Sequence, residues 1–215
     1  MIAAVFDLDR TLLPGTTAER IFLRRLIRYR QLQTRALLET VRFVFREGVR
    51  EIGLRIRSER PYLTGMHQAV LSLHGQQCAI EEIRPALSKH GIDRLGEHQK
   101  MQHRTVLLSG SLPYVVEPLA SDLGIDDVIC SQMHVRDGRL TGGLAGLHPY
   151  GEAKATLMAT HAAGLDIDLA KSCCYADHHS DVPLLEMFGY PVCVNPSGEL
   201  RRIAQNRGWQ IEQFD

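Results

Sequence analysis

The chain has 215 residues, 44% hydrophobic and 23% charged, with 25 basic and 25 acidic side chains and no formal net charge. That length suits one large domain or a core with an insertion, and the composition excludes a disordered or fibrous chain. Overall neutrality argues against a generic nucleic-acid binder. Neither a transmembrane span nor a signal peptide is expected, because the first apolar run is short and ends in Asp7. The charge is uneven, however. Residues 1–60 hold 13 arginines against 7 carboxylates, and residues 61–215 hold 12 basic against 18 acidic side chains. The basic part favours an anionic substrate or a transient contact with an anionic surface. Five cysteines (Cys78, Cys130, Cys173, Cys174, Cys193) form no CxxC pair, as expected of reduced thiols in a cytoplasmic protein.

Ile2–Phe6 is a short, continuously apolar run, predicted to be a buried strand that ends in Asp7-Leu8-Asp9-Arg10-Thr11. Leu12-Leu13-Pro14-Gly15 turns the chain, and Thr16 with Glu19 three residues on has the form of a capping box. From there to about Ser58 the pattern is helical. Its apolar positions are Ile21, Phe22, Leu26, Ile27, Tyr29, Leu37, Leu38, Val41 and Phe45, and arginine fills much of the remainder. A further short helix is expected to run to Leu73 and stop at Gly75. Pro85 suits the first turn of a helix continuing through Leu95.

Val106-Leu107-Leu108 is a predicted strand ending in Ser109-Gly110-Ser111, followed by a helix over 114–123 and a strand over 128–130. Asp137-Gly138 between two alternating segments predicts a hairpin. A helix over 151–163 carries Lys154 in its first turn. A strand over 172–176 leads into Asp177-His178-His179-Ser180-Asp181 and a helix over 182–188. A last strand (191–194) and a last helix (198–206) complete the pattern. Alternation of this kind implies a doubly wound α/β fold with a mostly parallel sheet, and makes residues about 16–80 an all-helical insertion.

In such sheets ligands bind beyond the carboxyl ends of the strands. Asp7 and Asp9, Ser109 and Gly110, and Asp177 with Asp181 all fall there, and Lys154 sits near a helix N-terminus, where anions are favoured. Each alone has an ordinary reading as an acidic turn, a helix cap or a surface lysine. Together, in this order, they point to phosphoryl transfer, with a carboxylate nucleophile beside a second carboxylate and a hydroxyl, Thr11, two residues further on.

Four motifs carry a resemblance to the haloacid dehalogenase-like phosphatases: Asp7-Leu8-Asp9-Arg10-Thr11, Leu108-Ser109, Lys154 within Gly151-Glu152-Ala153-Lys154, and Tyr175-Ala176-Asp177 followed by Asp181. The C-terminal part resembles the phosphoserine-phosphatase-like subgroup (subfamily IB). The resemblance implies a core of residues 1–15 and 81–215 with a C1-type helical cap of residues 16–80. It implies Asp7 as nucleophile and Asp9 as general acid and base. Ser109 and Lys154, with Thr11 and Gly110, would hold the phosphoryl group. Mg²⁺ would bind through Asp7, the Asp9 carbonyl, Asp177 and Asp181. Two departures stand out: Arg10 occupies a position usually glycine, and His178-His179 replaces small residues. Thr16 also stands where phosphoserine phosphatases carry an acidic side chain, with Glu19 three residues too late. The expected activity is hydrolysis of a small phosphorylated metabolite. Histidinol phosphate, glycerol phosphate, phospholipid head groups and transfer to another alcohol are alternatives. From a different class comes a silent phosphate-binding or membrane-surface protein, which would have no need of both Asp7 and Asp9.

Overall fold

The computed structural model describes residues 1–32, 34, 38, 40–42 and 59–215. Its centre is a six-stranded sheet in the order β3-β2-β1-β6-β7-β8, all neighbours parallel. The strands are β1 (Ala3–Phe6), β2 (Arg104–Ser109), β3 (Asp127–Cys130), β6 (Cys173–Ala176), β7 (Tyr190–Val194) and β8 (Gln210–Glu212). Both faces of a parallel sheet are covered, so its strands are apolar throughout. In β1, Ala4 and Phe6 point to one face and Ala3 and Val5 to the other, all four with no exposed surface. The first face packs on α3 (Lys89–Lys100) and α4 (Pro113–Asp122), through residues such as Leu95 and Leu119, and α1 (Ala18–Arg28) and α2 (Gln68–Cys78) pack on α4 and join the same apolar cluster through Phe22 and Leu71. The second packs on α5 (Glu152–Leu165), α6 (Val182–Leu185) and α7 (Gly198–Arg207), through Met158, Leu184 and Leu200. The chain winds outward from β1 to β2 and β3, then crosses to β6 on the other side, which opens a crevice at the carboxyl end of β1.

A separate antiparallel hairpin, β4 (Gln132–Arg136) and β5 (Arg139–Ala145), turns at Asp137-Gly138 as expected. It grips residues 60–68. Arg60 N–H donates to Gly142 O at 2.6 Å, Gly65 N–H to Leu140 O at 2.8 Å, Leu140 N–H to Met66 O at 2.9 Å and Gln68 N–H to Gly138 O at 2.9 Å.

Several local expectations are corrected. Thr17, not Thr16, caps α1, its hydroxyl accepting from Arg20 N–H at 3.2 Å. Of the apolar positions assigned to that helix, Phe22 and Leu26 are buried, whereas Ile27, Tyr29, Leu38 and Val41 are exposed. Leu37, Phe45 and the stretch to Ser58 lie outside the described residues. Gly75 does not end its helix: α2 runs on to Cys78, and a further turn follows over Ala79–Ile83. That glycine serves packing, since a β-carbon on it would lie 2.2 Å from Tyr114 O on α4. Pro85 opens only a single turn (Arg84–Ala86), and α3 starts afresh behind Ser88, whose Oγ accepts from Gly91 N–H. Strand β8 was not expected, because Gln-Ile-Glu has no apolar run to announce it.

Candidate active site

The crevice holds a cavity of about 390 Å³, lined among others by Asp7, Asp9, Lys154, Asp177, His178 and Asp181. Asp7 follows directly on β1 and is anchored by its own N–H, which donates to Tyr175 O on β6 at 3.0 Å. Its carboxylate, 5% exposed, accepts from Lys154 Nζ at 2.8 Å and from the Thr11 hydroxyl at 3.2 Å. Lys154 also donates to Asp181 Oδ2 at 3.0 Å. Asp7, Asp177 and Asp181 are all buried and each offers a carboxylate oxygen within 4.8 Å of the others.

Burial pushes Asp7 up to about 7; Lys154 opposes this, while Asp181, Asp9 and Asp177 add to it. Asp177 is pushed up to about 6, by burial first and Asp181 second. Burial alone would lower Lys154, but Asp7 and Asp181 outweigh it and hold the ammonium charged. Carboxylates crowded in this way favour a cation: one is Lys154, and the oxygen-only donor set suits a second, hard cation.

The Asp9 carboxylate is not part of that cluster. Oδ2 accepts from the Ser111 hydroxyl at 2.7 Å and Oδ1 from Ala18 N–H at 2.6 Å, the first turn of α1. Burial raises its pKa against the pull of those two donors. Asp9 is therefore held by Ser111 and the first turn of α1, two residues from Asp7 and on the wall of the same cavity.

Ser109 and Thr11 are fully buried and are not among the cavity walls; the Ser109 hydroxyl accepts from Ser111 N–H at 3.0 Å. Gly110 and Ser111 form the wall instead. A β-carbon on Gly110 would come within 3.1 Å of His148 and 3.2 Å of Pro149 O, so glycine fits this close approach. His178 lines the cavity half-buried, its Nδ1 accepting from Ser180 N–H at 3.2 Å. His179 turns away to Glu199.

Sequence reasoning missed Ser111, Arg60, His148 and Tyr150 and set Glu19 aside as misplaced, yet all five line the cavity. Glu19 reaches the wall although its spacing from Asp7 differs from the expected one, because the N-terminus of α1 is tied to Asp9. It is paired with Arg60 and accepts from the Tyr62 hydroxyl. His148 Nδ1 lies 2.8 Å from Ser131 Oγ, whose single proton goes to Gly110 O at 2.7 Å, so Nδ1 carries the proton between them. Ser111, two residues after Ser109, and Glu19, near the position expected of an acidic cap residue, were the ones with a signal in the sequence.

The family model of the haloacid dehalogenase-like hydrolases matches residues 4–186. A Streptomyces azureus protein named for inhibition of morphological differentiation is 31% identical over 99% of this chain and 78% of its own. The histidinol-phosphatase of Neisseria meningitidis is 27% identical over 98% of both chains. Among solved structures, a Bordetella pertussis protein of unknown function matches with a TM-score of 0.82 and 27% identity, covering 99% of this chain and 98% of that one. Phosphoserine phosphatases recur among the relatives, and their solved structures share the fold. The chain belongs to the haloacid dehalogenase-like hydrolases, and its relatives in that family include proteins named phosphatases.

Proposed function

We propose that this chain is a Mg²⁺-dependent phosphomonoester hydrolase that acts on a small phosphorylated metabolite through an aspartyl-phosphate on Asp7. The observation that carries the reading is the pair of differently held carboxylates in one cavity. Asp7 is fixed by Lys154 and Thr11, whereas Asp9 is held by Ser111 and the first turn of α1. Asp7 attacks phosphorus in line, and the P–O bond to the leaving group breaks. Asp9, whose pKa is raised by burial, gives its proton to the departing oxygen. In the second half-reaction Asp9 takes a proton from the attacking water, and phosphate leaves Asp7. Lys154 and the Gly110–Ser111 wall neutralise and orient the phosphoryl oxygens.

Asp7, Asp177 and Asp181, with the Asp9 carbonyl, are the residues that would hold Mg²⁺, which when bound supplies charge neutralisation. The segment 16–80 is the cap in this reading, and Glu19 and Arg60 are its contribution to the wall beside the leaving group. Phosphoserine, histidinol phosphate and glycerol phosphate are the first esters to assay with free-phosphate detection.

Asp7→Asn is expected to abolish turnover while far-UV circular dichroism stays unchanged, and borohydride reduction followed by mass spectrometry should place the adduct on Asp7. EDTA should stop the reaction and Mg²⁺ restore it. Activity of Asp7→Asn within a few-fold of wild type would sink the mechanism.

A further inference from the structure

We propose that Arg10 forms an anion subsite at the mouth of the catalytic cavity, receiving an oxyanion carried by the leaving group, such as a carboxylate. The proposal rests on the phosphatase reading of the cavity but deepens it, because the four motifs specify the phosphoryl end alone. Three observations support it.

The first is placement. Arg10 lies between Asp9 and Thr11 and lines the main cavity together with Asp7 and Lys154. It also lines an adjoining cavity of about 350 Å³, shared with Gly15, Asp177, His178, Asn195 and Ser197. A leaving group that extends from the first cavity toward the second meets the guanidinium between them.

The second is backbone conformation. Arg10 has φ +68°, in the left-handed region that strains a residue with a β-carbon and costs glycine almost nothing. The turn is fixed by main-chain bonds, Arg10 N–H to Leu13 O and Leu13 N–H to Leu8 O, each 2.9 Å. Glycine would suit this position better on conformational grounds alone. A long cationic side chain held there against that preference is accounted for by what its charge contacts.

The third is charge. Two arginines line the main cavity. Arg60 is already paired with Glu19. Arg10 has no carboxylate at ion-pair distance among the described residues. The charged and titratable groups facing it are Asp177, a metal-ligand candidate, and His178, both of which feel its field. Glu199, on α7, pairs with His179 instead. Arg10 thus presents a solvent-accessible fork of donors, the geometry that binds a carboxylate or phosphate in bidentate fashion.

Binding of inert ligands separates this role from catalysis. Calorimetry with Mg²⁺ present would compare methylphosphonate with 3-phosphonopropionate on wild type, Arg10→Gly and Arg10→Lys. Wild type is expected to bind the carboxylated phosphonate at least tenfold more tightly. Arg10→Gly should erase that preference, and Arg10→Lys should keep only part of it, having the charge without the fork. Because glycine fits φ +68°, the melting temperature of Arg10→Gly should not fall, so lost preference is not lost fold. Equal binding of the two ligands by wild type, a preference untouched in Arg10→Gly, or an equal loss for both ligands would each overturn the subsite. The last outcome would assign Arg10 to the reacting phosphoryl group. A wild-type chain that shows the preference but forms no adduct on Asp7 would keep the subsite and lose the aspartyl-phosphate mechanism.

Discussion

Asp7 and His98 are both buried and titratable, and their surroundings move them in opposite senses. Asp7 is raised because burial and three carboxylates disfavour its charge, although it faces an ammonium. His98, on α3, is 4% exposed beneath the site; its Nε2 lies 2.8 Å from the Tyr175 hydroxyl and its Nδ1 2.9 Å from His103 Nδ1. Burial, then His103 and Arg94, lower its pKa to about 4. In the unfolded chain the imidazole takes its proton near 6.5, so between 6.5 and 4 the unfolded state binds more protons than the folded one. The stability due to a neutral His98 is therefore fully present above pH 6.5 and lost as pH falls toward 4, with an upper bound of about 3 kcal/mol. Urea unfolding of His98→Gln should show a lower stability at pH 7.5 than wild type but a shallower decline from pH 6.5 to 4.5. Equal slopes for the two proteins would show that His98 does not carry the acid sensitivity. Tyr175 joins this network to the site, since its ring stacks on Phe6 at 4.5 Å and its carbonyl holds Asp7 N–H.

Among the elements, those whose residues obey a local rule were legible and those fixed by a partner were not. The apolar run of β1, the Asp-Gly turn of the β4–β5 hairpin and the polar residues that follow β1, β2 and β6 each announce themselves within a few residues. Gly75 does not, because its reason lies on α4, in the close approach to Tyr114. Arg60 was equally illegible: only the fold brings it to Glu19, and nothing local marks it among the arginines of the first 60 residues. Arg25 belongs with it. As one of many helix arginines it reads as solvated, yet it is 3% exposed and bonded to Gln77, Glu81 and Glu82. Two glycines test the distinction between local and tertiary causes. Gly75→Ala gains helix propensity but forces a β-carbon against main chain, so it should lower stability by about 1–3 kcal/mol. Gly96→Ala, in α3 with nothing within 4 Å of the new carbon, should raise it by about 0.5–1 kcal/mol. Chemical denaturation measures both, and the same sign at the two sites would refute the assignment.

Across the whole molecule, charge and topology converge on one rim. The carboxyl ends of β1 and β6 deliver the acidic cluster, the end of β2 delivers the Gly110–Ser111 wall and the first turn of α5 delivers the lysine, while the arginine-rich N-terminal segment brings Arg10 and Arg60 to the same cavity. Among the described residues no helix is long and apolar enough to cross a membrane. The hairpin that grips residues 60–68 also bears on how much the preceding chain can vary. Four main-chain hydrogen bonds fasten residues 60–68 to the hairpin, at backbone sites that include the positive-φ glycines Gly65, Gly138 and Gly142, and all of these lie outside residues 33–57. Lengthening or shortening the chain ahead of such a fastening changes loop-closure free energy by only about 0.6 kcal/mol per doubling. A change of length within residues 33–57 therefore costs little in chain closure and leaves the fastening and the phosphoryl end in place. Replacing residues 33–57 with a shorter Gly/Ser linker should leave the protein folded, with slow hydrogen exchange kept at the amides of Arg60, Gly65, Gln68 and Leu140. Fast exchange at those four amides would mean that the grip depends on what precedes it, and that this part of the chain cannot be exchanged independently of the core.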